Sequence, residues 1–124
     1  MIRKSICGAL LAALVSSPAM ALGIDDLARV VLGGNSVLKK AEQTCGTSSQ
    51  LSLRDNATLG GAIEAVRRSL APDRFAALEN VSRADADSQA QTPAFCTETR
   101  KKKKGLLSKV GKAGREILLG GLRI

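Results

Sequence analysis

Cys45 and Cys96 are the residues with the widest chemistry open to them. A thiolate can act as a nucleophile or a redox centre, but it needs a neighbouring base or a charge that lowers its pKa. The chain contains no histidine. It has no C-x-x-C pair, no G-x-S-x-G elbow and no glycine-rich phosphate loop. Asp85-Ala86-Asp87 supplies two carboxylates without further oxygen or nitrogen donors at ligand spacing, so no metal site and no cofactor are expected. The two cysteines, 51 positions apart, therefore read as one structural disulfide. The inventory points to a protein that is not an enzyme.

Charge chemistry is concentrated at the other end of the chain. Residues 100–124, "RKKKKGLLSKVGKAGREILLGGLRI", hold nine basic residues and one acidic residue, Glu116. Residues 22–99 hold eight basic and ten acidic. A composition break this sharp reads as a module boundary, separating a slightly acidic unit from a polybasic tail. The candidate anion-binding residues are Arg100, Lys101, Lys102, Lys103, Lys104, Lys109, Lys112 and Arg115.

On a helical wheel the tail is amphipathic. Leu106, Val110, Ala113, Ile117 and Ile124 share a sector, and Leu107, Gly114, Leu118 and Gly121 extend it. Lys109, Lys112, Arg115, Glu116, Arg123 and Ser108 lie opposite, with Leu119 as the bulky apolar exception. Five glycines in this stretch, each costing about 1 kcal/mol where helical, predict a frayed helix in isolation. Residues 104–119 resemble the cationic, glycine- and lysine-containing amphipathic peptides that act on membranes. That resemblance implies contact with anionic lipid, lipopolysaccharide or another envelope polymer through the cations, and with acyl chains through Leu106, Leu107, Val110, Ile117 and Leu118. Two other uses of the same pattern are a membrane-active peptide released near residues 100–104, and an ordinary fourth helix packed on the core of a protein-interaction module. Nucleic acid is disfavoured, because the chain has only two aromatic residues to stack on bases.

The amino terminus sets the expected compartment. "MIRKSICGALLAALVSSPAMA" has Arg3 and Lys4, a short apolar run from Ile6 to Val15, and small residues before Ala21. That layout predicts a secretory signal peptide over residues 1–21. The run is shorter than the ~20 residues a membrane span needs. Cys7 lacks a lipobox. The short alanine-rich leader points to a bacterial periplasmic or extracellular protein, which suits a disulfide.

What must position the cysteines and the tail is an all-α unit. With two phenylalanines and no tyrosine or tryptophan, the core has to be built from Leu, Val, Ile and Ala. "GIDDLARVVLGGNSVLKKAEQ" places Ile24, Leu27, Val31, Leu38 and Ala41 on one helical face. Asp25 and Asp26 suit its positive start and Lys39 and Lys40 its negative end. Gly33-Gly34 predicts a kink or two short helices. "SLRDNATLGGAIEAVRRSL" opens on Ser52 with Asp55 three residues on, a capping-box variant, and Leu53, Ala57, Gly60, Ile63, Val66 and Leu70 form its predicted face. "APDRFAALENVSRADADSQAQ" starts a third helix with Pro72 in its first turn and Phe75, Leu78 and Val81 as its stripe, ending before Pro93. No run reads as a strand. The expected architecture is a three-helix unit over residues 22–99, pinned by Cys45–Cys96, followed by the basic amphipathic helix.

Overall fold

A computed structural model describes residues 23–123 of the chain. The signal-peptide reading and Ile124 lie outside the described residues. Four α-helices account for almost all of the rest: α1 (Ile24–Thr44), α2 (Leu53–Ser69), α3 (Pro72–Gln89) and α4 (Phe95–Arg123), with a 3-10 turn at Thr47–Ser49. Among the described residues there is no strand. The all-α reading and the Cys45–Cys96 disulfide are both present in the molecule.

Pairs of contacting residues fix the direction of each helix. Cys45 meets Cys96 at one end of α1, while Gly34 lies against Val110 further along, so α1 and α4 are antiparallel. Lys39 Nζ donates to Asn56 Oδ1 at 2.6 Å, and the Leu51 amide donates to Glu42 Oε2 at 3.0 Å. Those pairs set α2 antiparallel to α1. Arg74–Asp25 and Lys40–Asp87, both 2.8 Å, set α3 parallel to α1. The result is an up-down-up-down bundle. Its two main interfaces are α1 with α4 and α2 with α4, and α3 packs chiefly on α1.

The helix ends follow from local chemistry. The Ser52 hydroxyl accepts from the Asp55 amide at 3.0 Å, and Asp55 Oδ2 accepts from the Ser52 amide at 3.1 Å, a reciprocal capping box. Pro72 occupies the first turn of α3, where its missing N–H costs no bond. Cys45 caps the end of α1, and Cys96 stands in the first turn of α4.

Four expectations need correction. Gly33-Gly34 does not divide α1 into two short helices; α1 is one helix of 21 residues. A Cβ at Gly34 would stand 2.5 Å from Val110 Cγ2, so the missing side chain is what lets α4 approach. On α2, Ile63, Val66 and Leu70 face inward, but Leu53, Ala57 and Gly60 are exposed and Leu59, Ala62 and Ala65 are buried in their place. The inward side of α2 is set by its interface with α4, which is floored by small residues rather than by the large Leu53. On α3, Val81 is exposed and Ala86 is buried. On α4, Leu118 stays half exposed, because the inward stripe closes with Ala113, Gly114 and Ile117.

The core consists of Ala28, Val31, Leu32 and Leu38 from α1, Leu59, Ala62, Ala65 and Val66 from α2, and Phe75 and Leu78 from α3, closed by Val110, Ala113 and Ile117 from α4. The Arg67 guanidinium lies over the Phe75 ring at 4.9 Å from its centroid, joining α2 to α3 at the edge of that core.

Candidate functional site

The charge boundary at residue 100 falls inside α4. That helix begins at Phe95 and runs for 29 residues, about 43 Å at 1.5 Å per residue. Phe95, Thr99, Val110, Ala113, Gly114 and Ile117 are buried along one side, and Leu106 and Leu107 are partly buried beside them. The spacing of three and four residues keeps this stripe on one azimuth. The polybasic segment is thus held on a helix whose apolar side is already spent on the core.

Two close approaches seat that helix. Gly34 admits Val110 from α1's side, and Gly114 admits Ala62 from α2's side: a Cβ on Gly114 would stand 2.8 Å from Ala62 Cβ and 2.9 Å from its Cα. Gly111 faces Thr58 one turn earlier. Gly34 and Gly111, read from sequence as weak points of their helices, and Gly114, read also as part of the tail's apolar face, are the contact surface. The signal that could have found them is their i, i+3 spacing next to the Val110–Ala113–Ile117 stripe.

Seven of the eight candidate cations are open to solvent. Arg100, Lys101, Lys102, Lys104, Lys109, Lys112 and Arg115 are exposed. Lys103 is not part of that set. It falls seven residues before Val110, hence on the inward azimuth, and its Nζ donates to the Gln50 carbonyl at 2.7 Å. Lys103 thereby ties α4 to the loop before α2, the same loop that Glu42 holds from α1.

Among the described residues, every ion pair is made within α1, α2 and α3. None of them neutralises a cation of α4. Like charges at i, i+3 or i+4, as in Arg100–Lys104, Lys101–Lys104 and Lys112–Arg115, each cost a few tenths of a kcal/mol. The fold gains nothing from that crowding.

At about 100° per residue, the cations divide into two groups. Arg100, Lys101, Lys104, Lys112 and Arg115 span the outward side and the edge next to α2, with Ser108, Leu118 and Leu119; Leu118 and Arg115 also line a shallow groove against Thr58 and Gly61 of α2. Lys102 and Lys109 are turned toward α1. Lys102 lines an open groove there, floored by Gly33, Val37 and Leu106, with Asp85 and Glu98 also on its walls.

The remaining sequence candidates have ordinary surroundings. Asp87 pairs with Lys40, and Asp85 Oδ2 accepts from Gln89 Nε2 at 2.9 Å. Among the described residues, no three His, Cys, Asp or Glu side chains converge on a point. No described helix is long and apolar enough to cross a membrane. No protein-family model, curated protein or solved structure matches the chain.

Proposed function

We propose that this protein is a small exported, non-enzymatic module that rests on an anionic membrane surface through the outward basic ridge of α4. The observation that carries the reading is the row Arg100, Lys101, Lys104, Lys112 and Arg115: exposed, unpaired among the described residues, and borne on a helix fixed to the core by Val110, Ala113 and Ile117. A docked helix presents its charges without first having to order them. The ligand chemistry is the phosphate group, which lipid headgroups and lipopolysaccharide share. The disulfide suits an oxidising compartment.

Docking of α4 changes the kind of contact expected. Deep burial of Leu106, Val110 and Ile117 in a bilayer would require α4 to leave the core, which closes over Val110 and Ile117. Release of the segment as a free peptide meets the same obstacle. Surface contact by charge needs no such opening.

Co-sedimentation with vesicles tests the reading, using the oxidised protein and a K101Q/K104Q/K112Q/R115Q variant. The protein should bind phosphatidylglycerol-containing vesicles and not phosphatidylcholine alone, and moderate salt should weaken binding. Each cation near the surface contributes about 1 kcal/mol, so the fourfold variant should bind on the order of a thousandfold more weakly. Equal binding by both proteins, or none by either, refutes the reading.

A further inference from the structure

The outward sector of α4 has two chemically distinct ends. Arg100 and Lys101 are followed, eighteen residues or about five turns later, by Leu118 and Leu119. Eighteen residues bring the helix back to the same azimuth, so the two leucines stand in line with the two leading cations. Leu118 is 49% exposed and Leu119 53%. They are among the few large apolar side chains left in solvent, and Arg115 and Lys112 lie within two turns of them. Leu27, Gly120 and Glu116 flank Leu119 on the side of α1, so the tip has an apolar neighbour there and one carboxylate at its edge.

We infer that Leu118 and Leu119 form an insertion tip that enters the headgroup–acyl boundary of an anionic bilayer while Arg100, Lys101, Lys104, Lys112 and Arg115 hold the headgroup phosphates. The inference rests on the reading above and narrows its partner to a lipid bilayer. Charge complementarity selects the occupant. A soluble polyanion satisfies the cations but offers nothing apolar to two leucines, whereas a bilayer interface supplies both layers at the spacing of one side chain. The same geometry leaves Lys102 and Lys109 outside the contact, because their azimuth is turned toward α1.

The test compares the oxidised protein with L118S/L119S and K109Q, on phosphatidylglycerol-containing vesicles and on heparin as a soluble polyanion. Circular dichroism of each variant checks that helix content is retained. L118S/L119S should partition into vesicles about tenfold less well, since each leucine has about half its surface still to bury, and should bind heparin as before. K109Q should stay within about twofold of the parent on vesicles. The chain has no tryptophan, so L119W gives a single reporter, and bromine placed high on the acyl chains should quench it. Vesicle binding unchanged in L118S/L119S, with L119W unquenched, overturns the insertion and leaves the electrostatic reading intact. Binding to heparin but not to vesicles also overturns it, with a polymer as the partner. If the unaltered protein binds neither, the reading beneath it fails as well.

Discussion

Gly114 of α4 and Ala62 of α2 meet nearly backbone to backbone: a Cβ on Gly114 would stand 2.9 Å from Ala62 Cα. Gly34 and Val110 make the corresponding approach between α1 and α4. Both α4 interfaces thus depend on an absent side chain, and the two glycines separate from the others by what surrounds them.

Gly114→Ala should destabilise the protein by about 1–3 kcal/mol, because the obstructing atoms are backbone and Cβ and cannot rotate away. Gly105 and Gly60 have open space where a Cβ would go. Alanine at either should stabilise by about 0.5–1 kcal/mol through helix propensity. Urea midpoints of the three variants would show the opposite signs. A Gly114→Ala protein as stable as its parent would mean that α4 does not pack on α2 at this point.

Shortening the chain after Thr99 should abolish cooperative thermal unfolding, not merely remove a surface element. Val110, Ala113 and Ile117 are core residues, at 0%, 4% and 1% exposure. Ile117→Ala alone should cost about 2–5 kcal/mol. A shortened chain that melts as sharply as the full one would place the tail off the core.

Replacing both Cys45 and Cys96 with serine should lower stability by up to about 4 kcal/mol, the chain-entropy value for closing a loop of about fifty residues. The bond joins the cap of α1 to the first turn of α4, so the loss should fall first on the α1–α4 end near Phe95. Hydrogen exchange at Phe95–Thr99, compared between the oxidised protein and the serine variant, reports it.

α3 should be the first helix to open. It buries only Phe75, Leu78 and Ala86, and its links to α1, Arg74–Asp25 and Lys40–Asp87, have exposed or half-exposed partners that contribute at most about 1 kcal/mol each. Native-state hydrogen exchange should show its amides protected less than those of α1. Phe75→Ala should cost about 3 kcal/mol and release α3 before the rest. Equal protection in α1 and α3 would contradict this.

Features settled by near neighbours in the chain were legible without coordinates. The Ser52–Asp55 box needs only residues three apart, Pro72 marks its own helix start, and Cys45 and Cys96 are the two cysteines of the described residues and allow one bridge. The outward azimuth of Arg100, Lys101, Lys104, Lys112 and Arg115 follows from the helical period. What was not legible depends on which partner helix lies alongside. Leu53 is the large apolar residue of its turn, yet it is 83% exposed, because α2 turns its small residues Ala62 and Ala65 inward. Which neighbour Gly34 and Gly114 admit is settled only when the helices are brought together. Lys103 could have been separated from its neighbours by its seven-residue spacing from Val110, but a run of identical cations hides that distinction.

The uneven loading of the bundle has a mechanical consequence. α4 carries nine basic and two acidic residues, while the three other helices and their connections carry eight and nine. The centre of charge is therefore displaced sideways from the centre of mass, across the helix axes. In the field above a negatively charged sheet, such a body experiences a torque as well as a pull. It turns α4 toward the sheet during the last ~10 Å of approach at ordinary ionic strength, so that a random collision becomes an oriented one.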